Sequence, residues 1–374
     1  MGVIAIALTL CWYAFRYEPI NFKLSEIDIN VTNKRQTQEE TSDYIQKNSN
    51  SFKQLYNYKD VTLISSYQEL NIRQPLLRIL HLSDFHLRKD WKGRKLFVFI
   101  QSLKVIKPDF VFITGDLVEK NENFSYLVEM LSGFKASIGK FAVFGVHDYY
   151  DKTPREFLKN FIKRRKEYER ENDVTELVLK LNSIGIQVLQ NERISFKCPS
   201  GEIEIIGLDD SIVRKTDVKM AFGESKSYLK SGLTSNLMPE FKSDFETDLK
   251  FKYKRSNHKY REVFKISNKK IHTLNNENKL IISLTHTPDI DLFVDLLERD
   301  VDIVFCGHTH GGQVRLPLIG ALLTGCNMKT RYSSGLFYFK KFVLYTTRGL
   351  GEGRYSPFRF YCQPEASLIN LFIV

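Results

Sequence analysis

The chain has 374 residues, 43% hydrophobic and 26% charged, which is enough to build one large α/β domain or two smaller ones and excludes a disordered or fibrous polymer. Its formal charge of +11 is uneven: Ile212–Lys279 carries sixteen Lys/Arg against eight Asp/Glu, and so +8 of the total. Such a patch suits an anionic partner (phospholipid headgroups, nucleic acid or a polyanionic substrate) and equally a solvated insertion. The five scattered cysteines form no C-x-x-C, which argues against a zinc ribbon and a disulfide framework.

In chain order, Gly2–Phe15 is apolar, with no charge before Arg16. The run is shorter than the roughly 17–25 residues of a spanning helix and lacks the basic start of a signal peptide. It reads as a membrane anchor, either monotopic or continued upstream. Arg16, Lys23, Lys34 and Arg35 follow it and place the rest on the cytoplasmic face of the membrane. The expected division is an anchor over 1–20, a leading strand and polar linker over 21–75, and one domain over 76–374 interrupted by the basic insertion 212–279.

Ile27–Val31 is a predicted strand, and Thr32 to about Arg73 is polar. Strands are then expected over Leu77–Leu82, Phe110–Thr114, Phe141–Phe144, Ile203–Ile206, Leu280–Leu284 and Val301–Cys306. Helices are expected over Lys95–Ile106, Tyr126–Leu131, Pro154–Arg170, Thr175–Ile184 and Asp291–Arg299. The tail segments Leu336–Phe339, Phe342–Thr346 and Leu368–Val374 read as antiparallel strands.

Chemistry collects at the strand ends. Five apolar strands run into Asp84/His86, Asp116, His147/Asp148, His286 and His308/His310, and six of the eight histidines lie at or beside these positions. Ligand sites in α/β sheets lie outside the carboxyl ends of strands. In Gly307-His308-Thr309-His310-Gly311-Gly312 the two imidazoles leave an extended backbone on the same side, and the glycines allow a sharp turn and close approach. Carboxylates mixed with imidazoles fit Mn²⁺, Fe²⁺, Co²⁺, Ni²⁺ or Zn²⁺ rather than the all-oxygen sites of Ca²⁺ or Mg²⁺. There are ligands enough for two ions with one carboxylate between them. Two ions roughly 3.5–4 Å apart can activate water and clamp the oxygens of an in-line displacement at phosphorus. His147 with Asp148 supplies a proton donor and a carboxylate to orient it. His81 reads as a strand residue packed near the site. Arg348 and Arg354 read equally as phosphate grips and as surface residues, and Asp209-Asp210 as turn chemistry.

Asp84-x-His86, Gly115-Asp116, Gly145-x-His147-Asp148, His286 and Gly307-His308-Thr309-His310 resemble, in order and spacing, the five motifs of calcineurin-like metallophosphoesterases. The likeness covers about Leu77 to Val374 outside the basic insertion. It is nearest to a membrane-anchored bacterial branch, which shares Tyr17-Glu18-Pro19 after the anchor, Leu316-Pro317 after GHTHGGQ, Arg348–Gly351 and Pro364-Glu365. That branch includes phosphodiesterases and UDP-2,3-diacylglucosamine pyrophosphatases of lipid A synthesis.

The resemblance implies a four-layer α/β/β/α sandwich. It implies a first divalent ion held by Asp84, His86 and His310, a second held by His286 and His308, and Asp116 between them. His147 would be the general acid, oriented by Asp148. Mn²⁺ is the first expectation, with Fe, Zn, Ni and Co as alternatives. The expected substrate is phosphorylated and lipid-linked, met at the cytoplasmic face of the inner membrane. One position departs from the pattern: the family has a ligating Asn where this chain has Val146, so the second site is expected to be weak. The competing readings are a nuclease of the same superfamily, using the basic segment as its groove, and a membrane-tethered scaffold with a decayed site.

Overall fold

A computed structural model describes residues 2–32, 75–150, 172–198, 201–224, 272–275, 279–339, 341–353 and 355–373. Two stacked sheets form its centre. The first holds β1 (Lys23–Thr32), β2 (Leu77–Leu82), β3 (Phe110–Thr114), β4 (Gly139–Val143), β5 (Gln187–Val188), β8 (His272–Thr273) and β15 (Glu365–Ile373), in the order β5-β4-β3-β2-β15-β1-β8. The second holds β6 (Glu192–Cys198), β7 (Gly201–Gly207), β9 (Lys279–Leu284), β10 (Ile303–Cys306), β13 (Gly335–Tyr338) and β14 (Val343–Thr346), in the order β13-β14-β10-β9-β7-β6. A small hairpin, β11 (Arg315–Leu316) with β12 (Gly320–Ala321), stands apart.

The central strands are apolar along their whole length because both faces are covered. Alternate residues of β3 go opposite ways: Phe110 and Phe112 enter the core between the sheets, Val111 and Ile113 the core under the outer helices. β10 divides likewise, with Ile303 and Phe305 facing the first sheet and Val304 and Cys306 the other side. Helices α2 (Trp91–Leu103), α3 (Phe124–Leu131) and α5 (Thr175–Ser183) cover the first sheet, and α6 (Val218–Ala221) and α7 (Ile290–Leu297) the second. The expected four-layer sandwich is therefore the observed fold, with three apolar layers between its four strata.

Several elements differ from expectation for identifiable reasons. α2 begins four residues before Lys95 because the Asp90 carboxylate accepts the Gly93 N–H at 2.8 Å, a side-chain cap. β6 had not been expected, although Ile194 and Phe196 alternate inward against the core; it pairs antiparallel with β7. The tail strands are not simply antiparallel: β14 runs parallel to β10 and antiparallel to β13, and β15 antiparallel to β2 but parallel to β1. β1 lies inside the first sheet, with Ile29 and Val31 buried in the inter-sheet core, so the strand before the polar stretch belongs to the domain. The helix expected over Pro154–Arg170 lies outside the described residues. Of the basic segment, 212–224 turns into α6, whose Val218 and Ala221 pack under the second sheet.

The N-terminal helix α1 (Gly2–Trp12) continues through a π turn, Tyr13–Tyr17, and a 3₁₀ turn, Glu18–Ile20. Together Gly2–Ile20 spans 19 residues, long and apolar enough to cross a membrane by length and composition. Its end is tied down: the Arg359 N–H donates to Ala14 O at 3.0 Å, and the Tyr13 hydroxyl donates to Glu18 Oε2 at 2.6 Å.

Candidate metal centre

The five strand ends named from sequence meet along one edge of the sandwich. Asp84 and His86 follow β2, Asp116 follows β3, His147 follows β4 in the short helix α4 (Val146–Tyr149), His286 follows β9, and His308 and His310 follow β10. Asp84, His86, Asp116, His308 and His310 all have left-handed backbones, with φ between 42° and 67°. For residues other than glycine this costs on the order of 1–3 kcal/mol each, strain that clusters at functional sites. Gly307 and Gly145 permit the close approach: a Cβ on Gly307 would strike Ser83 Oγ and Asp84 Oδ2, and one on Gly145 would strike Asp116 Oδ1 and the His286 ring.

Among the described residues three sets of ligand-type side chains result: Asp84, His86 and His310; Asp116, His286 and His308; and His86, Asp116 and His147. In the first, His86 Nε2 lies 3.1 Å from His310 Nε2, and His310 Nε2 lies 3.4 Å from Asp84 Oδ1. In the second, His286 Nε2 lies 3.3 Å from His308 Nδ1 and 3.2 Å from Asp116 Oδ2. Asp116 Oδ2 also lies 3.5 Å from His86 Nε2, so one carboxylate oxygen stands between the sets.

The far side of each ring says what the near side offers. His86 Nδ1 meets Glu119 Oε1 at 2.7 Å, His310 Nδ1 meets Gly351 O at 3.1 Å, His286 Nδ1 meets Thr114 O at 2.7 Å, and His308 Nε2 meets Gly325 O at 3.3 Å. For His86, His286 and His308 the partner is an acceptor, which favours the proton on the far nitrogen and a lone pair on the inner one; His310 Nδ1 has the Arg359 guanidinium 3.3 Å away as well as the Gly351 carbonyl. Four imidazole nitrogens thus converge in two pairs at 3.1 and 3.3 Å, a spacing that a shared proton or a cation between them satisfies. With metal–ligand bonds of about 2.1 Å, two ligands on one ion stand about 3.0–3.4 Å apart, so the residues fit divalent ions.

The electrostatics agree. Burial alone would pull the His86 imidazole down, but Glu119, Asp116 and Asp84 outweigh it and hold it above its usual range. In His286 the same loss of water is outweighed by Asp116, Asp84 and Asp210, and the ring is held well above its usual range. Burial would raise Asp116, yet His286 and His147 hold it well below the normal carboxylate range. His310 goes the other way, pushed well down by burial, His86 and Arg359. The pocket favours positive charge, which a proton or a metal ion can supply.

Supporting residues complete the picture, of which Glu119 and Arg359 were missed in the sequence. Glu119, three residues after Asp116, backs His86. Arg359 is fully buried and donates to the carbonyls of Arg348, Gly349, Gly351 and Cys362, fixing the loop that backs His310. Asp210 accepts from Thr287 Oγ1 and from the Ile212 N–H at 2.8 Å, tying a turn to the residue after His286. Asp148 acts on the backbone: it accepts the N–H groups of Asp116, Leu117 and Gly145 at 2.8–2.9 Å, shaping the loops that carry Asp116 and His147. Burial and the neighbouring Asp116 push its carboxyl up to about 7. His147 donates its backbone N–H to Asp116 Oδ1 at 2.8 Å, and its ring lies edge-on to His86 at 4.8 Å. Val146 is buried and offers no ligand. His81 lies outside the three sets; it enters the inter-sheet core against Phe305 and Tyr345, and burial lowers it to about 3. Arg348 lies 3.8 Å from Glu365, and Arg354 lies outside the described residues.

A carboxylate shared between two imidazole-rich ligand sets at the strand ends of an α/β/β/α sandwich defines a metal-dependent hydrolase with room for two ions. Residues 77–312 match the calcineurin-like phosphoesterase family, more than half of the chain, and the protein belongs to it. It is a metal-dependent phosphoesterase, and its family implies divalent metal ions. Among curated proteins it is similar to the uncharacterized metallophosphoesterase YkuE of Bacillus subtilis, 23% identical over 79% of this chain and 78% of that one. It is 27% identical to the phosphodiesterase YaeI of Escherichia coli, over 71% of each chain. It is 24% identical to the UDP-2,3-diacylglucosamine pyrophosphatase LpxG of Chlamydia muridarum, over 79% of this chain and 83% of that one.

Proposed function

We propose that this phosphoesterase hydrolyses a phosphodiester or pyrophosphate bond in a lipid-linked nucleotide such as UDP-2,3-diacylglucosamine. It works at the cytoplasmic face of the inner membrane and uses two ions, Mn²⁺ foremost. The convergence of four imidazole nitrogens on two positions that share Asp116 carries the reading. Support for a lipid-borne substrate comes from the apolar Gly2–Ile20 helix and from the kinship with YaeI and LpxG.

In this reading Asp84, His86 and His310 would hold one ion and His286 and His308 the other, with Asp116 within reach of both sets. Bound ions supply water activation and neutralise charge on phosphoryl oxygens. The chain does the rest. Glu119, Gly351, Thr114 and Gly325 fix ring orientation, and Asp148 fixes the backbone of the Asp116 and His147 loops. His147 gives a proton to the departing oxygen.

Purified full-length protein with Mn²⁺ should release UMP and the diacylglucosamine 1-phosphate from UDP-2,3-diacylglucosamine faster than it cleaves a polynucleotide. Preference for the polynucleotide would make it a nuclease, and metal-free protein without hydrolysis would make it a scaffold.

A further inference from the structure

Large exposed apolar side chains are concentrated in two places among the described residues. One is α1. The other is the β11–β12 hairpin, where Leu318 and Ile319 at the turn are 108% and 70% exposed and Leu322 and Leu323 just after it 47% and 65%. Four large aliphatic side chains within six residues, turned to solvent, form the kind of patch that marks an interaction surface. The turn is held open by Pro317 and by Leu318 in a left-handed conformation, φ 66°.

The two places share a foundation. The Arg315 N–H donates to Phe360 O at 2.9 Å, and Val314 bridges to Phe360. Phe360 packs edge-on against Tyr13 at 5.7 Å, and the neighbouring Arg359 N–H bonds Ala14 O at 3.0 Å. The base of the hairpin and the end of the apolar helix are thus fastened to one short segment. The four steps from Val314 to Leu318 reach at most about 14 Å beyond it. Exposed Trp12 and Tyr361 lie at this junction, and amphipathic aromatics of this kind settle at a lipid headgroup boundary.

We propose that the β11–β12 hairpin is a second membrane contact, its Leu318–Ile319 tip entering the lipid–water boundary beside the N-terminal helix. The proposal rests on reading Gly2–Ile20 as a membrane anchor. The occupant is lipid because the base of the patch is fastened to the same segment as the end of a helix whose side chains are themselves apolar and uncovered. The hairpin leaves the chain directly after His310-Gly311-Gly312-Gln313 and returns just before Gly325, whose carbonyl meets His308. Seating the tip in lipid would keep the loops that carry His308 and His310, a few residues away along the chain, near the bilayer and make the docking surface part of substrate access.

The test uses the full chain in proteoliposomes of phosphatidylethanolamine and phosphatidylglycerol, some lipids carrying bromine on the acyl chains. In an Ile319→Trp variant, the emission added over the parent protein should shift blue and be quenched by the brominated lipid. A Leu318→Asp/Ile319→Asp variant should lose about tenfold or more in kcat/KM on a vesicle-borne substrate and stay within about twofold of the parent on a soluble aryl phosphodiester. Flotation with vesicles after a high-salt wash reports on the anchor separately. If the protein floats but the added indole is unquenched, the hairpin proposal is overturned while the anchor stands. If the protein does not float, both fall. A blue shift without bromine quenching, accompanied by dimers in solution, would assign the patch to a second copy and overturn the lipid contact.

Discussion

The two ligand sets sit on the same edge of the sandwich but are supported to different depths. Around Asp84 and His310 the backing is buried and braced: a carboxylate, Glu119, stands 2.7 Å behind His86, and Arg359 pins the loop whose carbonyl holds His310. Around His286 and His308 the backing is two carbonyls, the second at 3.3 Å behind a partly exposed His308, and Val146 stands where the resemblance puts a ligating Asn. A carboxylate behind an imidazole makes it a stronger donor than a carbonyl does. What stands behind the ligands separates the two halves as much as the ligands themselves, and unequal affinities are the outcome to be tested.

The largest effect should come from removing the residue common to both. Asp116→Asn is expected to nearly abolish turnover and deplete both ions, read by elemental analysis of the purified variant; stoichiometric metal with retained turnover would remove Asp116 from the shared position. His147→Ala should keep both ions and cost about 10²–10⁴-fold on a substrate with a poor leaving group, with little loss on an activated aryl ester. Loss of metal instead would recruit His147 as a ligand of the third set, filling the gap left by Val146.

The comparison can also be sharpened from each side. Glu119→Gln should weaken the first ion by about 10–100-fold and leave the second unchanged. Val146→Asn should tighten the second and lower the Mn²⁺ needed for half-maximal activity. Calorimetric titration of both variants with Mn²⁺ checks the pair, and equal affinities in the parent protein would erase the asymmetry.

The smallest effect concerns stability. His81 is buried and neutral down to about pH 3, so between 6.5 and that value only the unfolded chain takes up its proton. Stability must then fall with acid by about 1.4 kcal/mol per pH unit below 6.5. Urea unfolding of His81→Phe between pH 5 and 7 should show a mean slope shallower by about 1 kcal/mol per pH unit, since the unfolded histidine is only partly protonated above 6; parallel slopes would mean that His81 takes up its proton in the fold as well.

The converging residues were legible because their chemistry is carried by side-chain type at the ends of apolar runs, a pattern that needs no long-range information. Their supports were not. Glu119 looks like any surface glutamate, Arg359 has no motif around it, and the carbonyls of Thr114, Gly325 and Gly351 have no signature at all, since every residue has one. Asp148 was visible, but not that its carboxylate serves three backbone N–H groups. The same limit applied to the sheets. Ile29 and Val31 announced a strand, but its partner lies at the other end of the chain.

That partnership has a consequence in time. β1 is bonded on one side to β15, with Lys23 beside Glu365 and Val31 beside Ile373, so the first strand made cannot be completed until the last one exists. At about 5–20 residues per second, synthesis leaves the Ile-rich β1 edge waiting roughly 15–70 s. Parallel pairing across such a separation is also slow to find once both strands are present. β15 lies between β1 and β2, so a chain that stops before Glu365 does not merely lack a tail: its first sheet is cut in two, and the strand that follows the N-terminal helix is cast off from the strands carrying Asp84 and Asp116.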